Sequence, residues 1–433
     1  MKVLVISNNA FSETACNGKT LKSFLSRLSP SDISQFYIGT NETPDLSCCE
    51  NYYRVTETDI IKSILKLSFK TRNSHHALVR SIQGSAVGQE GRLFRFLKKH
   101  SSNLSFLRLA LWKTNIWDNE DLNLWVEENS PDVIFALLGN SIQVHQILQK
   151  ISKRYDIPYV VYFTDDYVIN DTSTNVIQRM YYKKLCRAYE ETIKGSSRLY
   201  AIGKKMAIEY SRKYNRNFDC LGNCIDVERF ASLAPNKIDV DKDIIISFIG
   251  GIHSNRWKSI SRLGAIVSDI SVKYNWKIRV QVYTMTKPDD DILNLFKSNK
   301  VEYCGSLDTN GVLEQMRKSH FLLHVESFDE QYRRYVKYSI STKISEYLAS
   351  NRYVIAFGPH EVASIELLKN NNLGCCLTDK DTDIEIRNKL VEAIITYNNY
   401  DYSIQQEFVN ENYNVENVSR RLMNDLNTII NNK

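Results

Sequence analysis

Two successive series of short apolar runs, each alternating with amphipathic stretches, constrain this chain more than any other feature. Runs of this length and composition suit buried parallel strands. The first series opens at Val3–Ser7 and continues through QFYIGT (35–40), PDVIFALLG (131–139), IPYVVYFTDD (157–166) and SSRLYAIG (196–203). Helical stretches over 21–28, over 141–155 and through Tyr210 separate them. The second series holds DIIISFIGG (243–251), KIRVQVYT (277–284), VEYCG (301–305), HFLLHVE (320–326) and RYVIAFG (352–358). Such alternation predicts an α/β chain with two Rossmann-like domains facing an interdomain cleft. A length of 433 residues fits two cores of roughly 200 residues each. The polar stretch 231–242, with Pro235, is the expected linker between residues 1–230 and 243–410. Residues 411–433 are expected to close the chain as an amphipathic helix over 415–430.

Composition narrows the function classes. Hydrophobic residues make up 43% and charged residues 24%, ordinary globular usage. A net charge of +6 tolerates an anionic partner but lacks the dense basic patch of a nucleic-acid binder. The nine cysteines include no Cys-x-x-Cys pair, which points to free thiols in a reducing compartment rather than a metal site. MKVLVISNNAF turns polar too early for a signal peptide, and no run reaches membrane-spanning length. A cytoplasmic protein is expected, peripheral at the inner face of a membrane if it meets one. The segment 61–113 bears on that point: it carries eleven Lys and Arg against one acid, Glu90, with Leu, Phe and Ile interleaved. Two readings fit it, a basic helical pair covering the sheet and an amphipathic surface for anionic lipid.

Three constellations carry candidate chemistry. In IIISFIGGIHSNRWKSI (244–260) a strand runs into Gly250-Gly251, with His253, Arg256 and Lys258 before the next helix. Glycines let backbone amides approach a phosphate, and the two cations neutralise a diphosphate. A tight turn with two solvated cations fits equally. In SISTKISEYLASNRYVIAFGP (339–359), Ser341, Thr342 and Lys343 open a helix whose first turn holds Glu346. Hydroxyls and a cation there suit phosphate, and a carboxylate suits ribose hydroxyls; an N-cap with a dipole partner is the plainer reading. Asp165 and Asp166 follow a first-domain strand, where they orient or deprotonate an acceptor hydroxyl, or cap the next helix.

Taken together, these motifs resemble the family-4-like glycosyltransferases of bacterial polysaccharide and cell-envelope glycan synthesis. STKISEYLASNRYVIAFGP is similar to their donor-binding signature. FIGG followed by RWK resembles the phosphate loop of their second domain, NGKTL their first glycine loop, and LGNCIDVERF the loop entering their linker. The resemblance implies a GT-B fold, a nucleoside-diphosphate-sugar donor as co-substrate without further cofactor, no metal, and retention of anomeric configuration. It places Arg256 and Lys343 on the diphosphate, Gly251 against the phosphates, Glu346 on the ribose and Gly18 beside the pyrophosphate and sugar. One position departs: Tyr338 stands where many members carry a glutamate toward the donor sugar, with Glu326 and Glu330 upstream as substitutes. The acceptor implied is a glycan or lipid-linked glycan. Two alternatives share the architecture, a sugar-nucleotide epimerase and a degenerate transferase that only binds.

Overall fold

The computed structural model describes residues 1–12, 16–39, 43–64 and 101–433. Residues 65–100, most of the basic segment read as a membrane surface, lie outside the described residues. By contact the chain forms two compact units, Met1–Leu221 with Ser419–Lys433, and Gly222–Val418. The sequence reading ends the first domain later, at 230. It also sets 411–433 apart, whereas the contact division assigns the residues from Ser419 onward to the first unit.

The first unit is a seven-stranded parallel sheet of order β3-β2-β1-β4-β5-β6-β7. Its strands are β1 (Val3–Ser7), β2 (Ile33–Tyr37), β3 (Asn51–Arg54), β4 (Val133–Leu138), β5 (Tyr159–Phe163), β6 (Arg198–Ala201) and β7 (Asp219–Cys220). Strand β1 pairs on one side with β2 and on the other with β4, Val5 facing both Gln35 and Phe135. Every residue of β1, β2, β4 and β5 is buried. That explains why β1, β4 and β5 read as continuous apolar runs rather than alternating ones; β2, expected at 35–40, lies at 33–37 and includes Ser34 and Gln35, the latter held by Ser7 Oγ and the Asn9 carbonyl. The edge strands β3 and β7 are too short to give such a signal.

One local reading is corrected here. Gly18-Lys19-Thr20, taken from sequence as a loop before a helix at 21–28, lies inside the helix Cys16–Phe24. The reason is steric. A Cβ at Gly18 would overlap the Ala10 carbonyl oxygen and sit 2.7 Å from the Ser12 amide nitrogen. Only glycine lets this helix turn lie directly on the segment leaving β1.

The second unit is a six-stranded parallel sheet of order β10-β9-β8-β11-β12-β13. Its strands are β8 (Asp243–Ile249), β9 (Lys277–Tyr283), β10 (Val301–Tyr303), β11 (Phe321–Val325), β12 (Tyr353–Phe357) and β13 (Cys375–Leu377). The helix Arg256–Tyr274 buries Ile260, Leu263, Gly264, Val267 and Ile270 at helical spacing. These side chains pack on Ile244, Ile246, Phe248 and Phe321 in one core. Each fully buried Ile or Phe contributes about 1.5–3 kcal/mol. The strand order reverses between β8 and β11, since β9 continues outward from β8 on one side and β11 lies on the other. In an open α/β sheet such a switch point leaves a crevice at the strands' carboxyl ends, where ligands bind.

Candidate active site

The loop leaving β8 and the loop leaving β11 meet at that switch point in the second unit. Gly250 and Gly251 end β8, and a Cβ at Gly251 would overlap the His253 ring. Ser254 and Asn255 then take successive left-handed conformations, φ 57° and 58°. Backbone strain of this kind in non-glycine residues concentrates at functional sites. The turn delivers Arg256 as the first residue of its helix.

Arg256 clamps Glu326, the residue that follows β11. Nε donates to Oε2 at 3.1 Å, while Nη2 donates to Oε2 at 2.9 Å and to Oε1 at 3.1 Å. The Glu326 side chain is only 5% exposed and that of Arg256 18%. Burial pushes the Glu326 carboxyl above its ordinary range, and the Arg256 charge opposes that rise. Behind it, His324 donates or accepts at Ser364 Oγ (3.0 Å) and sits 3.7 Å from Glu326 Oε1. Burial, reinforced by Arg256, drives the His324 ring down to about 3, so it is neutral at neutral pH. Lys258 and Asn255 both reach Asp329, at 3.0 and 2.6 Å. His253 lies 3.4 Å from the Arg256 guanidinium, and partial burial together with that charge lowers its pKa.

The third element is the helix Lys343–Ala349. Lys343 Nζ donates to Glu346 Oε2 at 2.8 Å within its first turn. One residue further on, the buried Tyr347 hydroxyl accepts from the Ile249 amide and donates to the Ile249 carbonyl, both at 3.1 Å. This pair of bonds ties the helix to the end of β8, two residues from Gly251. Ser341 and Thr342 engage the same turn through Lys343 N (3.4 Å to Ser341 Oγ) and Ser345 Oγ (3.1 Å to the Thr342 carbonyl). The second unit therefore gathers Gly250, Gly251, His253, Arg256, Lys258 and Glu326 around the ends of β8 and β11, while Ser341, Thr342, Lys343 and Glu346 stand at the start of the helix that Tyr347 ties to β8. Sequence reasoning missed the partners: His324, Asp329, Ser364 and Tyr347. The Arg256–Glu326 pair spans 70 positions, and only the adjacency of β8 and β11 brings it together.

Gly18, Asp165 and Asp166 belong to the first unit. Asp166 is buried, and its carboxylate braces the turn after β5. Oδ1 accepts from Val168 N (3.1 Å), Ile169 N (2.9 Å) and the Tyr210 hydroxyl (3.0 Å), and Oδ2 from Asn170 N (3.3 Å). Asp165 is partly exposed and accepts from Thr164 Oγ1 at 3.2 Å. Hydrogen bonds to a charged acceptor contribute about 1.5–3 kcal/mol each, and losing several strands buried donors. Asp166→Ala is therefore expected to lower the first unit's melting temperature by about 5–15 °C. Thermal unfolding followed by circular dichroism checks this; an unchanged transition contradicts the bracing role.

Residues 263–416, about a third of the chain, match the family described as "Glucosyltransferase 3-like, C-terminal domain". The chain has the GT-B fold, and its second unit carries a stretch that matches a glucosyltransferase family domain. Its architecture also matches solved structures along the whole length. The α,α-trehalose-phosphate synthase (UDP-forming) of Burkholderia xenovorans, in complex with glucose-6-phosphate, aligns with a TM-score of 0.61 at 9% identity, over 99% of this chain and 100% of that one. An E. coli structure described as trehalose-6-phosphate bound with UDP-2-fluoro glucose gives 0.55 at 11%, over 98% and 99%. TarM, a Staphylococcus aureus protein, gives 0.57 at 12%, over 99% of both chains. At these identities the likeness establishes the fold. No curated protein sequence matches the chain.

Among the described residues, no helix is long and apolar enough to cross a membrane. Nor do three or more His, Cys, Asp or Glu residues there cluster as metal ligands.

Two buried histidines set its response to acid. His145 is fully buried between Thr192 Oγ1 (3.0 Å) and the Gly139 carbonyl (3.2 Å). Burial lowers its pKa to about 4. Both His145 and His324 fold neutral, whereas in the unfolded chain they take protons below about pH 6.5. Each therefore contributes stability that is full above that pH and falls by up to about 1.4 kcal/mol per pH unit below it. The loss runs down to about 4 for His145 and about 3 for His324. His324→Gln is expected to flatten the dependence of melting temperature on pH below about 6.5; a slope equal to that of the wild type contradicts this.

Proposed function

We propose that this chain is a glycosyltransferase that moves a sugar from a nucleoside-diphosphate sugar to a glycan or lipid-linked acceptor, with retention of configuration and without a metal. One observation carries the reading. Three cations, Arg256, Lys258 and Lys343, stand at the switch point of the second unit, each held in place by a carboxylate. Arg256 and Lys343 would face the diphosphate and absorb the charge that grows on it as the sugar departs. Preorganised electrostatic stabilisation of this kind is commonly the largest part of catalysis. It also supplies the neutralisation that a divalent cation supplies elsewhere. Gly250 and Gly251 allow the backbone to approach the phosphates, with Ser341, Thr342 and Lys258 as further polar contacts. Glu346 accepts the ribose hydroxyls. Glu326, offered by the sequence as a contact to the donor sugar, is spent on orienting Arg256, while His253 stays beside that guanidinium at the loop's surface.

The acceptor hydroxyl attacks from the face the diphosphate leaves, and a departing phosphate oxygen takes its proton. In the first unit Asp166 shapes the turn after β5 that carries Asp165, the candidate for acceptor binding. Envelope glycan synthesis, capsule or lipopolysaccharide, is the setting that supplies such acceptors, at the cytoplasmic side of the membrane. The test incubates the protein with a panel of nucleotide sugars, with and without lipid-linked glycan acceptor. Transfer supports the proposal. Epimerised donor without acceptor, or binding with no product, overturns it.

A further inference from the structure

We infer that the first three turns of the helix Val176–Gly195, residues 176–187, dock the protein on an anionic lipid surface. The helix begins firmly: Asn175 caps it by accepting from Gln178 N at 2.9 Å, and the Gln178 side chain returns to Thr174 N and Oγ1, both at 2.8 Å. A capped start presents its first residues in fixed geometry. Those residues are apolar and yet open to solvent: Val176 is 74% exposed, Ile177 40% and Met180 52%.

At roughly 100° per residue the helix has two distinct faces. Leu185, Ala188, Tyr189, Thr192 and Ile193 are buried against the unit, with Tyr189 stacked on Phe163 at 4.8 Å. Opposite them, Val176 and Met180 share one line with Arg187, flanked by Lys183 and Lys184. The three cations are exposed, and none forms an ion pair with a carboxylate of the described residues. Arg179 reaches Asp171 only at 3.8 Å. Acids enter the helix only at Glu190 and Glu191. Up to Arg187 the outward face thus combines one turn of exposed apolar side chain, Val176 to Met180, with an excess of positive charge, before Glu190 and Glu191 follow on the same side. Such a face buries its apolar residues at the headgroup–acyl boundary while its cations meet lipid phosphates. An acidic protein groove would complement the charge too, but the apolar residues and the cations follow one another along a single solvent-facing side of the helix, as contact with a flat anionic surface requires. A lipid surface is one of two readings of the sequence at 61–113; this site lies outside that segment and does not depend on the donor assignment.

The test is flotation of the full chain with vesicles of phosphatidylcholine alone or mixed with phosphatidylglycerol. Binding to the mixed vesicles and not to the neutral ones is expected. Reversing Lys183, Lys184 and Arg187 to Glu lowers that binding by about 100-fold, and Val176→Ser with Met180→Ser lowers it by about 10-fold. A control reversing three exposed cations of the second unit, Lys273, Lys297 and Lys300, leaves it unchanged. All these positions face solvent, and unchanged melting curves confirm the variants fold. The inference is overturned by wild-type binding that ignores lipid charge, by full binding of the helix variants, or by an equal loss in the control.

Discussion

Arg256→Ala is expected to cut the rate of sugar transfer by about 10²–10³-fold, the scale seen when one preorganised partner of a developing anion is removed. It also leaves Glu326 buried with no counter-charge. Breaking a buried pair from one side costs about 3–5 kcal/mol, so the variant loses stability as well as activity. The two losses separate in the double variant Arg256→Ala, Glu326→Gln. With both charges gone, no buried charge is left uncompensated, and the melting temperature recovers most of its drop. Transfer does not recover, because the guanidinium that meets the diphosphate is still missing. Activity returning along with stability would mean that Arg256 is a structural residue and not part of the donor site.

Glu346→Ala is the second large effect. In the proposed complex its carboxylate accepts both ribose hydroxyls, and hydrogen bonds to a charged acceptor contribute about 1.5–3 kcal/mol each. Donor affinity is expected to fall by about 100-fold or more. A comparison with a 2′-deoxyribose donor locates the loss. The wild type discriminates against the deoxy donor, while the variant binds both alike, since the group that reads the hydroxyl is gone. Lys343 loses its 2.8 Å partner in this variant, and Lys343→Ala alone controls for that change. Near-normal donor affinity in Glu346→Ala refutes the ribose assignment.

Much of the fold is legible in the sequence because both sheets are parallel and covered. Strands β4, β8 and β11 are continuous apolar runs, and their positions agree with the structure to within a residue or two. The short strands are a different matter: β7 has two residues and β13 three, too few to show a period. Gly18 misled for a physical reason. Its signal is that of a tight loop, yet the missing Cβ serves a close helix contact, and sequence does not distinguish the two. At the site, the cations and glycines are visible as motifs. Their partners are not, because Glu326 and Asp329 are chosen by strand order and not by local spacing. Asp166 shows the converse: an acidic pair at a strand end reads as chemistry, but only the structure reveals that one member is consumed by three backbone amides and a tyrosine.

Calorimetric titration of the wild type and of Arg256→Ala with a nucleoside diphosphate, and with the corresponding monophosphate, measures what the second phosphate contributes. A cationic clamp on the diphosphate predicts that the wild type strongly prefers the diphosphate and that the variant nearly loses the preference. An equal preference in both proteins would contradict it.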